Sequence, residues 1–104
     1  EVVTLDSIDS FVDGASVKRV GEKTFGICEE SLDRMLVVEK KVLCQTMLDL
    51  YQYYSMIVEP AGALSVAALE QLRPDIEGKT VVCVISGGNF DTKRLPEISQ
   101  LAKS

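Results

Sequence analysis

With 104 residues, the chain can enclose one modest hydrophobic core, and at 46% apolar and 26% charged it has the balance of a globular domain, not of a disordered segment. Eleven basic residues against 16 acids give a net charge of -5, the wrong sign for gripping a phosphate backbone. No apolar run approaches the roughly 20 residues needed to cross a bilayer, so neither nucleic acid nor membrane is an expected partner and a cytoplasmic location is expected.

Histidine is absent. This removes Ser-His and Cys-His nucleophilic pairs and every zinc site that needs an imidazole. Cys28, Cys44 and Cys83 are odd in number and far apart. They read as small buried hydrophobes in a reducing compartment, not as a disulfide framework or a metal cluster. The opening stretch, EVVTLDSIDS, is acidic, unlike a secretory signal, and begins inside an apolar alternation without a methionine. A mature or fragmentary N-terminus is therefore expected.

Residues 1–14 hold one short apolar run and close on Asp13-Gly14, a turn signal. Phe25, Cys28 and Leu32 lie three and four apart, which predicts a helix over 22–33 with Gly21 ahead of it. MLVV at 35–38 is short and branched and predicts a strand. Val42, Leu43, Met47, Leu50 and Tyr54 recur at helical spacing, so 39–54 is the clearest helix, with Glu39 in its first turn. Glu59 precedes a proline and is pushed out of helical geometry, whereas Pro60 suits the first position of a helix. A small-residue helix over 61–72 follows, ended by Pro74 and Gly78. TVVCVI at 80–85 does not alternate and predicts a strand covered on both faces. The tail, broken by Pro96, reads as a weak helix or the start of a linker. This order is an α/β pattern with a thin sheet of three short strands and packed helices.

The stretch with most chemical promise is SGGN at 86–89. In open α/β sheets ligands gather beyond the carboxyl ends of strands, and Ser86 ends the predicted strand 80–85. Its hydroxyl both donates and accepts, while Gly87 and Gly88 let backbone approach a planar ligand closely. An ordinary turn accounts for the same residues. Glu59 is an acid between MIV and PAGAL; it either reaches a ligand group at the start of the next helix or caps that helix in solvent. Asp13-Gly14 is either a turn or backbone passing near a ligand. Lys18 and Arg19 either neutralise an anion or, the favoured reading, simply face water. Tyr51 and Tyr54 can share a helix face, and packing accounts for them. No complete catalytic set is present.

Three stretches in register carry more than this. FVDGASVKRVGEKTF, VEPAGALSVAAL and GKTVVCVISGGNFD together resemble the C-terminal part of the catalytic domain of threonine ammonia-lyases, or threonine dehydratases, of the fold type II (tryptophan synthase beta-like) pyridoxal-phosphate family. The resemblance spans about residues 4–92. It implies that Ser86 hydrogen-bonds the pyridine nitrogen of pyridoxal phosphate, a neutral partner that suits β-elimination. It implies further that Gly87, Gly88 and Asn89 shape that edge of the pocket, that Glu59 lies close to the ring, and that the backbone of Gly14 lines the cofactor's face. Residues 1–91 would be the C-terminal portion of the catalytic domain, and 92–104 an exit segment toward a regulatory domain.

The departures are as informative. The family's Schiff-base lysine and its glycine-rich phosphate loop lie in stretches that have no counterpart here, and none of Lys18, Lys23, Lys40, Lys41, Lys79, Lys93 or Lys103 sits in a matching motif. A pyridoxal-phosphate enzyme needs both a lysine and a phosphate anchor. The expectation is a piece of a homo-oligomeric enzyme of isoleucine biosynthesis, converting L-threonine to 2-oxobutanoate and ammonia, with the isolated chain inactive. Serine racemase or serine ammonia-lyase of the same fold, a non-catalytic remnant serving as an interaction module, and a small-ligand α/β domain of another kind are the alternatives.

Overall fold

The computed structural model describes all 104 residues, and they fall into two compact units, Glu1–Leu36 and Val37–Ser104. Five α-helices organise them: α1 (Glu22–Ser31), α2 (Lys40–Tyr54), α3 (Pro60–Ala67), α4 (Leu69–Ile76) and α5 (Leu95–Lys103). No helix is long and apolar enough to cross a membrane.

In the first unit, Asp13–Ala15 form a single 3-10 turn, where the Asp-Gly pair predicts one. The Ser16 hydroxyl donates to the carbonyls of Asp9 and Val12, and Phe11 is buried. The Leu5 N–H donates to the Lys18 carbonyl at 2.9 Å, and Arg19 reaches both Thr4 and Glu22. Helix α1 follows Gly21, whose carbonyl accepts from the Phe25 N–H. It buries none of its residues within the unit. Its Phe25–Cys28–Leu32 stripe instead lines an open apolar hollow with Val20, Thr24, Glu29 and Met35.

The second unit is built around α2. Leu43, Cys44, Met47 and Leu50 lie on one face of this helix and are buried, because α2 packs against both α3 and α5. Burying side chains of this size contributes about 1.5–3 kcal/mol each. Val42 and Tyr54, expected on the same stripe, are exposed at its edge. The helix ends at Ser55, whose φ of 57° is left-handed; its N–H donates to the Tyr51 carbonyl and that of Met56 to the Leu50 carbonyl. Such caps satisfy terminal carbonyls, at a steric cost for any residue with a Cβ.

Helix α3 opens with Pro60 at its first turn, as a missing N–H permits there. Pro60, Gly62, Ala63 and Ala67 are buried, and their small side chains allow close approach. The single helix expected over 61–72 is in fact two. Ala68 keeps right-handed angles but closes a tighter turn, with the Gln71 N–H on its carbonyl at 3.2 Å, and α4 restarts at Leu69. Pro74 does not end α4, which runs through it to Ile76. Residues 76–79 then make a type II turn. Glu77 has φ -56° and ψ 128°, Gly78 has φ 76°, and the Lys79 N–H donates to the Ile76 carbonyl at 2.9 Å. The tail folds as a 3-10 turn, Thr92–Arg94, capped by Asp91 onto the Lys93 N–H, followed by α5, whose Ile98 is fully buried.

The expected three-stranded α/β sheet is absent. Neither 35–38 nor 80–85 forms a strand, and the chain is a helical protein with irregular connections. The run expected to be covered on both faces leaves Val82 at 85% and Val84 at 72% exposure. Apolar branched residues record that a segment favours burial, but a strand exists only where neighbouring backbone completes a ladder, and no such ladder forms here. The thiols also differ from expectation: Cys44 is buried, Cys83 half-buried and Cys28 exposed.

Candidate functional site

The local logic begins at Glu59. Its backbone is extended ahead of Pro60, with φ -70° and ψ 161°, so it stands at the N-terminus of α3 with its carbonyl accepting from Ala63 at 3.2 Å. Its side chain does not cap the helix. The Glu59 N–H instead points across to the Gly87 carbonyl, at 3.2 Å, and its carboxylate covers the Cα of Gly87. A Cβ on Gly87 would fall well inside 3.0 Å of Oε1. Half-buried Glu59 is thus not a solvent-facing cap but one wall of the SGGN loop.

Helix α3 supplies the other wall. A Cβ on Gly62 would lie closer than 3.0 Å to the nitrogen and oxygen of Gly87 and to Cγ1 of Val58. Further along, the Ser65 hydroxyl donates to the Val84 carbonyl at 2.7 Å, and the Cys83 thiol lies 3.8 Å from the Ser65 carbonyl. The run 83–87 is therefore laid along α3 by polar contacts. Gly88 sits under the Ile57 carbonyl, at 3.0 Å from an added Cβ, and its own carbonyl accepts from the Phe90 N–H at 2.8 Å, a tight three-residue turn. Phe90 closes the loop on an apolar cavity of about 140 Å³ whose walls include Met47, Val58 and Ile98.

Glu59, Gly87 and Gly88 come together, with Ser86 and Asn89 as exposed flanks of the same loop. Gly14 belongs to the first unit, exposed in its 3-10 turn with its N–H on the Asp13 carboxylate at 2.9 Å. Sequence reasoning missed Gly62 and Ser65. The VEPAGALSVAAL stretch contains both, but nothing local shows that the missing Cβ of Gly62 faces another glycine far along the chain. The Ser86 hydroxyl is neutral, exposed and able to donate or accept, and the glycines beside it leave backbone bare.

The chain as a whole is similar to known proteins. Residues 1–87 match the family described as pyridoxal-phosphate dependent enzyme. The chain belongs to that family. Among curated members it is 55% identical over 100 residues to a biosynthetic L-threonine dehydratase of Staphylococcus aureus, covering 96% of this chain and 24% of that protein. The corresponding Staphylococcus epidermidis dehydratase is 52% identical over 99 residues, 95% of this chain and 24% of its own length. The chain thus spans about a quarter of the length of the curated dehydratases it matches. Among solved structures, the processed form of threonine deaminase isoform 2 from Solanum lycopersicum superposes with a TM-score of 0.88 at 32% identity, over 98% of this chain and 30% of that one. The T.th. threonine deaminase gives a TM-score of 0.78 at 31% identity, over 86% of this chain and 32% of that one.

Proposed function

We propose that the protein carrying this chain deaminates L-threonine to 2-oxobutanoate and ammonia with pyridoxal phosphate, and that Ser86 meets the pyridine nitrogen. The observation that carries the reading is the SGGN loop wedged between Glu59 and Gly62, in a chain whose relatives are threonine dehydratases and deaminases. When bound, pyridoxal phosphate supplies an electron-withdrawing ring that makes the amino acid's α-proton removable.

The chain's own residues would act on one edge of that ring. Ser86 would hold the nitrogen through its hydroxyl and, being uncharged, leave it largely unprotonated. Gly87, Gly88 and Asn89 would shape the pocket beside it, and the Gly87 backbone would come within reach because no Cβ intervenes. Glu59 would lie near the ring while its peptide N–H holds the Gly87 carbonyl. Gly14 would line the ring's face with backbone alone. A phosphate anchor and the lysine that binds the cofactor covalently are to be sought elsewhere in the enzyme, since no lysine of this chain sits in a matching motif. Residues 92–104 would lead on toward a regulatory domain, and the enzyme would act as a homo-oligomer in isoleucine biosynthesis.

The test is direct. The protein as its gene encodes it, supplied with pyridoxal phosphate, should release 2-oxobutanoate from L-threonine faster than pyruvate from L-serine, and residues 1–104 alone should release neither. Failure of the encoded protein to turn over threonine would refute the reading. Replacing Ser86→Ala should reduce the rate with cofactor still bound.

A further inference from the structure

We infer that Gly62 is a positioning residue, which sets where Ser86 stands by interlocking α3 with the peptide of Gly87. The inference rests on the reading of Ser86 as the partner of the ring nitrogen, and it adds a residue outside the loop on which that partnership depends.

Gly87 is held from three sides. The Glu59 N–H fixes its carbonyl at 3.2 Å, the Glu59 carboxylate closes over its Cα, and the bare Cα of Gly62 lies against its nitrogen and oxygen. Ser86 is bonded to that nitrogen, so any movement of the Gly87 peptide moves the serine. Gly62 is buried in α3, where helical geometry and the packing of α3 on α2 fix it. A methyl group there would meet two backbone atoms of Gly87 inside 3.0 Å, and backbone cannot swing aside as the end of a flexible side chain can. The yielding party is the loop. Downstream, the Gly88–Phe90 turn leaves little slack to absorb the shift before the aromatic anchor.

The third clash, with Cγ1 of Val58, provides the internal control. If Gly62 mattered only for packing on Val58, trimming that side chain would relieve the damage. If it matters through Gly87, trimming would not.

The experiment compares the holoenzyme, as its gene encodes it, with Gly62→Ala, with Gly62→Ala combined with Val58→Ala, and with Gly26→Ala, where an added Cβ meets nothing within 4 Å. The readouts are the absorbance and fluorescence maxima of bound pyridoxal phosphate and the split of kcat against KM for threonine. Gly62→Ala should retain cofactor, shift its maximum and lower kcat by on the order of a hundredfold, as misplacement by about 1 Å can do, with KM little changed. The double variant should stay shifted, and Gly26→Ala should match the wild type. A wild-type spectrum and rate in Gly62→Ala, or their return on adding Val58→Ala, overturns the inference. If Gly62→Ala does not hold cofactor, amide hydrogen exchange of the cofactor-free proteins decides: faster exchange at the peptides of 86–88 than in Gly26→Ala supports the interlock, and unchanged exchange there overturns it. Wild-type enzyme without cofactor or turnover refutes the proposed function itself, an outcome separate from any difference among variants.

Discussion

The face of α2 that carries Leu43, Cys44, Met47 and Leu50 and the run Val81–Ile85 are similarly apolar, yet the first is buried and the second is open to solvent at Val81, Val82, Val84 and Ile85. A helix closes its own backbone hydrogen bonds, so one apolar stripe suffices to dock it, and α3 and α5 complete α2 within the second unit. A non-helical run has no such independence. Its peptide groups need partners before its side chains can be covered, and only the Ser65 hydroxyl and the Glu59 N–H reach the stretch 84–87. Hydrophobicity alone therefore does not predict burial. Backbone satisfaction decides which apolar segments become core.

The contrast can be pressed hardest at Ile98, fully buried where α5 meets α2. Ile98→Ala should cost about 2–5 kcal/mol in a denaturant titration. A loss below about 1 kcal/mol would mean that α5 adds little to the core. Next is Gly78, at φ 76° in the turn that delivers the chain into the apolar run. Gly78→Ala should cost roughly 1–2 kcal/mol, since a Cβ is strained in the left-handed region. The reverse holds at Ser55, where φ is 57°: Ser55→Gly should stabilise by up to about 1 kcal/mol, unless the extra freedom of glycine in the unfolded chain offsets the gain.

The thiols sharpen the comparison in another way. Burial pushes the Cys44 thiol up from its ordinary 9.0, and the Glu97 carboxylate adds to the rise. The folded state thus holds this proton more tightly than the unfolded chain does. Its contribution is fully present below pH 9.0 and is lost as pH climbs from there through the higher folded value. Cys44→Ala should flatten the alkaline limb of a stability-versus-pH curve, and Cys28, exposed, should react with a thiol reagent well before Cys44. The smallest effect belongs to Val82. In the isolated chain Val82→Thr should change stability by less than about 0.5 kcal/mol, and a larger loss would show that the run is covered in solution.

Much of the helical framework was legible from the residues. The spacing of Leu43, Met47 and Leu50 predicts α2 to within a residue, Phe25 and Cys28 mark α1, and Glu59-Pro60 announces the start of α3. These signals are local. The break at Ala68 carries no proline or glycine to reveal it, and Pro74 lies where α4 tolerates the loss of one hydrogen bond shortly before its end. The strands at 35–38 and 80–85 were inferred from side chains, whereas strands depend on partners that side chains do not specify. At the candidate site, Ser86 and Glu59 stood out separately by residue type. That Glu59 covers Gly87, and that Gly62 abuts the same peptide, depends on how α3 packs against the loop, which no local pattern encodes.

The two facing glycines also constrain how this protein can change over generations. Glycine is the smallest residue, so every single amino-acid replacement at position 62 or 87 adds at least one carbon to a space already shut by backbone or carboxylate. No exchange of sizes between the pair can compensate, because neither has atoms to give up. A lineage could leave this arrangement only by shifting α3 or rerouting the loop, and a randomised library that includes these two codons would spend most of its members on variants with a displaced serine.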